Sequence, residues 1–473
     1  MSIKREQFGS KIGFILAAAG SAVGIGHLVG FPVNATKNGG AAFLIVYAVF
    51  VVLICLPVML AELSLGRHSQ RNPIGAYKRL APDSKIWQLG GWLSVITPFM
   101  IAVFYMVITV WILGYLVGAV FGNLDLLGQA NYFNAFITSK QVYFLLVLLT
   151  SLIVFILYQG VAEGIERGAK LMMPTLFFML IGLVIFVLTL DNALSGVKFY
   201  LIPDIKKLTP TVLNGALSQA FFSLSLGMGI LITYGSYMKQ NNNIPASGKM
   251  VALADTGVAF LAGLLIIPAI FSFNPNTNTA ELSDSSISLI FSFLPKIFLA
   301  LQSSIGYLGA SIVASVFFLL VFFAALTSQV SIMQVPLASL QDELGYSRGK
   351  SLVVLCTGAG VLTLCCILSF GDMRFLTEFV NYAGQTKSFF DVIIDVFYDT
   401  ILPLNGLIIC LFVTYKWKKA NLDAELELGA PNYKGSLLER YVTFSLSTLI
   451  PFILAVIFIN TVVLKYFGIS LIG

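Results

Sequence analysis

The sequence predicts an all-α membrane protein with eleven transmembrane helices, on three observations. Of its 473 residues, 58% are hydrophobic and 11% charged, whereas an average soluble domain is about a quarter charged. That leaves too few charges to cover a water-exposed surface of this size, so a soluble globular protein is excluded. Apolar runs of the roughly 20 residues needed to cross the hydrocarbon layer recur along the chain. The runs are continuously apolar, unlike the alternating strands of a membrane barrel, and hydrocarbon satisfies no open backbone groups, which leaves helices.

In chain order the eleven runs cover residues 12–33, 41–65, 90–121, 141–159, 168–190, 211–237, 250–273, 306–340, 351–370, 390–415 and 438–465. The first follows Lys4 and Arg5 and passes through Ala17-Ala18-Ala19, as a signal peptide would, but stays apolar to Phe31-Pro32, too far for a cleaved segment. Arg67, Arg71, Lys78, Arg79 and Lys85 follow the second run, and Lys416, Lys418 and Lys419 follow the tenth. The positive-inside rule then sets the N-terminus in the cytoplasm. An odd number of crossings puts the C-terminus outside, with polar outer loops near 123–140 and 274–296. The expected location is a plasma membrane, crossed many times. The net charge of +6 is scattered, so no nucleic acid is implied as a partner. The five cysteines lie in apolar runs without metal-ligand spacing and read as buried thiols.

Spans one and six carry clustered glycines in their middles, Gly20-Ser21-Ala22-Val23-Gly24-Ile25-Gly26 and Ser223-Leu224-Ser225-Leu226-Gly227-Met228-Gly229. The first is no phosphate loop, since it follows no strand and lacks Lys-Ser/Thr. Glycine also serves close helix packing in membranes, which stays open as a reading of either segment alone. Span one of the first five corresponds to span six of the next five, however, and matched interruptions in two halves point to a transporter binding site. A broken helix offers free N–H groups to a carboxylate and free C=O groups to a cation. On span three, Tyr105 stands one turn after Ile101 and its phenol requires a polar partner, a ligand or a neighbouring carbonyl. On span eight, Ala324, Thr327, Ser328 and Ser331 form a small polar stripe, which by itself suits helix packing as well as cation binding.

Lys4-Arg5-Glu6, GSAVGIG (20–26) with Phe31-Pro32, Asn38-Gly39-Gly40 with Ala42-Phe43, GIERGAKLMMPTLF (164–177), FFSLSLGMG (221–229) and LTSQVSIMQ (326–334) occur in one order. Together they resemble the neurotransmitter:sodium symporter family, particularly its bacterial amino-acid transporters, over about residues 4–415. The resemblance implies a 5+5 inverted repeat with broken helices one and six, alternating access and sodium-driven uptake. The halves would be 1–190 and 191–420, with 421–473 holding the eleventh helix and C-terminus.

The resemblance also implies a site. The substrate carboxylate would meet the free N–H groups around Ala22 to Gly26 and the Tyr105 hydroxyl. Its side chain would lie among Ser21, Ile25, Ile101, Phe222, Ser223, Ser225, Met228, Ser328 and Ile332. Members similar to monoamine carriers have Asp where this chain has Gly24, so an amino-acid substrate is expected. An apolar lining without Asp, Glu, Lys or Arg favours a neutral, hydrophobic one.

The family's second sodium site maps onto the carbonyls of Gly20, Val23 and Ala324 and the hydroxyls of Thr327 and Ser328, five neutral oxygens that suit a hard cation. The first maps onto Ala22, His27, Ser223 and Asp255, where His27 and Asp255 replace the usual asparagines. Either a protonated His27 pairs with Asp255 in place of sodium, or a neutral His27 is structural and Asp255 still holds the ion. Tyr47, Gln219 and Ser223 match the chloride site of animal members, but Ala259 replaces its last hydroxyl, so chloride is not expected. Arg5, Asp342 and Tyr237 correspond to the inner gate, with Phe8 in place of the usual Trp. The outer-gate arginine is replaced by Gly30, its acid is Asp395 or a neighbour, Asp391 or Asp399, and Tyr105 and Phe222 are expected to occlude the pocket. No enzyme motif is present. The reading is a sodium-coupled importer of a neutral amino acid, with a second copy of the chain as a candidate partner. A proton-coupled or sodium-independent carrier and an amino-acid-binding membrane sensor are the alternatives.

Overall fold

A computed structural model of the chain describes residues 5–273, 287, 289–371 and 373–469. Nine helices are long and apolar enough to cross a membrane: Ala41–Ser69, Lys85–Val120, Gln141–Tyr158, Val161–Leu188, Ile244–Phe273, Gln302–Leu344, Arg348–Leu368, Phe389–Glu427 and Leu437–Phe467, among the described residues. The pair Lys11–Ala22 and Gly26–Lys37, bent by 55°, makes a tenth. The predicted sixth span is the pair Pro210–Ser223 and Ile230–Gly235, each half too short to cross alone. Several helices outrun their apolar stretches, because hydropathy marks the hydrocarbon layer and the helix itself continues into polar surroundings: span eight, broken at Gly306 where φ is 73°, continues to Leu344, and span three runs from Lys85 to Val120.

The two breaks have a backbone cause. In span six, Ser225, Gly227 and Gly229 adopt positive φ of 53°, 76° and 65°, which ends a right-handed helix. The freed groups are then satisfied by other spans. The Gly227 N–H donates to Glu62 Oε1 at 2.7 Å and Asn405 Nδ2 donates to the Gly227 carbonyl at 3.1 Å. A Cβ at Gly227 would sit 2.8 Å from the Leu402 carbonyl, so the close approach requires glycine there. In span one the helix stops at Val23, with ψ of 92°, and resumes at Gly26 as a π-helical turn.

Spans three and eight form the most extensive helix pair. Toward one end they bury an aromatic cluster, in which Trp111 packs edge-on against Phe133, Phe291 and Phe370. Large apolar residues on the outward helix faces, among them Phe144, Phe155, Leu171, Phe178, Leu308 and Phe452, are exposed, as expected of a surface solvated by lipid.

The predicted outer loops are corrected in part. Residues 123–140 contain the helices Leu124–Leu127 and Tyr132–Ile137, and Leu289–Ala300 is an apolar helix rather than polar loop. Leu289, Ile290, Phe291, Leu294, Ile297 and Phe298 are buried, yet the run is too short to have counted as a span. The polar stretch 274–286 of that predicted loop lies outside the described residues, as does Lys4. A hairpin of β1 (Val380–Tyr382) and β2 (Gln385–Lys387) between spans nine and ten was not foreseen.

Candidate functional site

The breaks of spans one and six face each other across a cavity of about 340 Å³. Spans one, three, six and eight line it, with one residue from span ten. Ser21, Ala22, Gly24 and Gly26 come from span one, Ile101 and Tyr105 from span three, Phe222, Ser223, Ser225 and Met228 from span six, and Ser328 and Ile332 from span eight. Among the described residues no Asp, Glu, Lys or Arg lines it.

Ile25 is the exception among the expected residues. Its side chain is buried in the core and lines no part of the cavity, because the helix resumes one residue later and turns it away. Its N–H is not free either, since it donates to the Tyr105 hydroxyl oxygen at 3.2 Å. The phenol keeps its own hydrogen for another acceptor. A Cβ at Gly24 would fall 2.7 Å from that hydroxyl and 2.9 Å from Ser328 Oγ, so a side chain at this position would collide with both.

The cavity extends beyond the predicted set to His27, Gly30, Asn34, Gly215, Ser218, Gln219 and Tyr398. Residues 215, 218, 219 and 222 lie on one face at helical spacing, and this periodicity from Phe222 would have found Gly215 and Ser218. Tyr398 stacks on Phe222 with ring centroids 4.7 Å apart, and its proximity has no local sequence signal.

On the cavity wall, Ser328 Oγ lies 3.1 Å from the Ser21 carbonyl oxygen, 3.3 Å from that of Gly20 and 3.4 Å from that of Val23, while Thr327 Oγ1 lies 3.1 Å from the Ala324 carbonyl. Span-one carbonyls at the break thus gather around the Ser328 hydroxyl, while the Thr327 hydroxyl bonds within span eight, to the Phe323 and Ala324 carbonyls. A set of neutral oxygens fits a monovalent hard cation carried as cargo. Among the described residues no group of three or more His, Cys, Asp or Glu offers an alternative metal centre.

To one side lies a buried polar cluster. His27 Nε2 is 2.7 Å from Asp255 Oδ1 and 2.5 Å from Ser223 Oγ, and the His27 and Asp255 side chains are both almost fully buried. Tyr47 Oη is 2.7 Å from Ser223 Oγ, and Tyr47 and Ser223 both donate toward Asp255 Oδ2, at 3.3 and 3.2 Å. The imidazole therefore fills the space between the Ser223 hydroxyl and the Asp255 carboxylate. Ala22 stays on the cavity wall. Gln219 turns elsewhere, accepting from Asn34 Nδ2 at 2.8 Å and donating to the Gly26 carbonyl at 3.1 Å.

At one end of the bundle Arg5 pairs with Asp342, donates from Nη2 to Ser236 Oγ at 2.7 Å and lies 4.7 Å from the centre of the Tyr237 ring. Asn72 also donates to Asp342, and Gln334 to Tyr237 Oη at 2.8 Å. Phe8 packs edge-on against Phe14, Tyr234 and Tyr237. At the opposite end the three candidate acids part company. Asp391 forms a capping box with Ser388, whereas Asp395 and Asp399 share Lys465 of the last span.

The comparisons agree with this architecture. The family model for the Sodium:neurotransmitter symporter family matches residues 5–136 and 134–467. The chain is 37% identical over 469 residues to the uncharacterized sodium-dependent transporter YhdH of Bacillus subtilis (strain 168), covering 97% of this chain and 98% of that one. It is 27% identical over 435 residues to the sodium- and chloride-dependent GABA transporter 2 of Bos taurus, covering 81% and 70%. The solved structure of MhsT in complex with L-phenylalanine aligns with a TM-score of 0.83 at 37% identity, covering 96% of this chain and 99% of that one. With the broken helices, the central cavity and these matches in hand, the chain belongs to the sodium:neurotransmitter symporter family and is a multi-pass, sodium-dependent membrane transporter, not an enzyme.

Proposed function

We propose that the chain couples the inward sodium gradient to import of a neutral, hydrophobic amino acid by alternating access. The cavity carries the reading: at its floor the Tyr105 hydroxyl, already accepting from the Ile25 N–H, directs its hydrogen to a carboxylate, while Ile101, Met228, Ile332 and Phe222 receive an apolar side chain. The L-phenylalanine bound by MhsT supports this substrate class. Sodium would ride between the Gly20, Val23 and Ala324 carbonyls and the Thr327 and Ser328 hydroxyls.

A second cation site is altered. The contact of 2.7 Å between His27 and Asp255 favours a protonated imidazole standing where relatives hold sodium, so that one sodium accompanies each substrate. The Asp255 carboxylate beside Tyr47 and Ser223 supplies a built-in negative charge, so uptake is independent of chloride. The basic clusters support an N-terminus on the cytoplasmic side of a plasma membrane.

The test is uptake of labelled neutral amino acids into proteoliposomes under an inward sodium or an inward proton gradient. Accumulation driven by sodium alone, unchanged when gluconate replaces chloride, is expected. Accumulation that needs protons would favour a proton-coupled carrier, uptake confined to charged amino acids would reject the substrate class, and binding without accumulation would favour a sensor.

A further inference from the structure

Gly30 carries no side chain, so this position supplies no cation to the acids of span ten. The last span supplies one instead. Lys465, near the end of Leu437–Phe467, brings Nζ within 2.7 Å of Asp395 Oδ1 and 2.7 Å of Asp399 Oδ2. Asp395 is buried, accepts from the Tyr382 hydroxyl at 2.7 Å and has Lys387 Nζ at 3.9 Å. Tyr466 lies 3.2 Å by its hydroxyl from Thr400 Oγ1 and 5.3 Å by its ring from that of Tyr382. The hairpin, the last span and the start of span ten are thus joined at one point. Burial, and then its bond to the Asp395 carboxylate, push the Tyr382 phenol above its ordinary range, so it remains a donor.

The joined segment, Ile394–Ile401, is π-helical, a winding that often marks functional positions. It carries Tyr398, which sits between the two acids in sequence, lines the substrate cavity and stacks on Phe222. Asp395 and Asp399 stand four residues apart on one helix, where like charges repel, and low dielectric strengthens the repulsion. The Lys465 ammonium, 2.7 Å from each carboxylate, ties both acids to the last span, and the only other cation beside them among the described residues is Lys387, 3.9 Å from Asp395.

We propose that Lys465 is a positioning residue for transport: from the last helix it supplies the cation of the outer gate, latching Ile394–Ile401 so that Tyr398 closes over the cavity. This makes the eleventh span a working part of the gate rather than a scaffold, and it rests on the transport reading above. A lysine suits a latch that must release, since its charge rides on a flexible four-carbon stem.

The experiment uses the full chain in proteoliposomes, in a background whose five native cysteines are replaced and whose uptake is retained. Ser218→Cys, on the cavity wall, reports access to a membrane-impermeant thiol reagent added outside. With sodium and L-phenylalanine present, Lys465→Met should be labelled about tenfold faster than its parent. Its turnover should fall at least about tenfold while sodium-dependent L-phenylalanine binding stays within about threefold, and Lys465→Arg should restore both. Labelling and turnover equal to the parent, or lost turnover with unchanged labelling, would overturn the proposal. If Lys465→Met does not reach the membrane, Lys465→Met combined with Asp399→Asn, which leaves one fewer unpaired acid, decides by the same two readouts. Absence of sodium-driven uptake by the native chain would reject the transport reading, and the labelling rates would still decide the latch.

Discussion

Gly24 concentrates the residue-scale argument, because its missing side chain leaves room for Tyr105 Oη and Ser328 Oγ, which a Cβ would approach to 2.7 and 2.9 Å. Gly24→Ala should weaken substrate binding by about 5- to 150-fold, the equivalent of the ~1–3 kcal/mol that overpacking costs, measured by equilibrium binding at saturating sodium. Thr327→Val removes one hydroxyl from the proposed cation site and keeps its volume, so it should raise the sodium concentration for half-maximal binding about tenfold or more. Binding at unchanged sodium concentration would reject that site. His27→Asn replaces the imidazole with an oxygen ligand, and uptake should then show a changed sodium Hill coefficient or pH profile. At this scale the sequence was most informative where it departs from its relatives: His27 and Asp255 stood out as replacements of asparagines, and the structure brings them within 2.7 Å. Tyr398 was illegible, since a tyrosine in an apolar run looks alike whether it faces lipid, core or ligand.

Helices that stop in mid-membrane need partners for their backbone, and in span six those partners are Glu62 and Asn405. Gly227→Ala should lower the thermal unfolding midpoint and impair uptake, since an L residue at φ of 76° carries a strain of about 1–2 kcal/mol before its Cβ meets the Leu402 carbonyl. An unchanged midpoint would show that the segment can rewind. The breaks themselves were legible, because glycine clusters at matching places in two halves have few other causes. The helix Leu289–Ala300 and the β1–β2 hairpin were not: one is too short to register as a crossing, and the other is held by contacts of Tyr382 with Asp395 and Tyr466 that no local pattern announces.

At the scale of the whole molecule, Arg5 pairs with Asp342 at one end, the proposed inner gate, and Lys465 pairs with Asp395 and Asp399 at the other, the proposed latch. Arg5→Ala leaves Asp342 with Asn72 as a neutral partner. A loss of about 1.4 kcal/mol shifts such an equilibrium tenfold. Uptake should therefore fall about tenfold while thiol labelling from the side of the N-terminus rises, and unchanged labelling would assign Arg5 to topology alone. Fold class and approximate crossings were legible because the bilayer imposes one length and one chemistry on every span. Which helices pack together was not, because lipid-facing and protein-facing surfaces are both apolar.

The imidazole lodged between Ser223 and Asp255 also bears on how far the protein can work uphill. A tenfold sodium gradient and a 100 mV potential supply about 1.4 and 2.3 kcal/mol per ion. A carrier taking one sodium with each zwitterion therefore stops near a 500-fold inside excess, whereas two would permit an excess of roughly 10⁵-fold. On the proposed one-sodium reading, the imidazole lowers the summit of accumulation, and in exchange each cycle dissipates less of the sodium gradient.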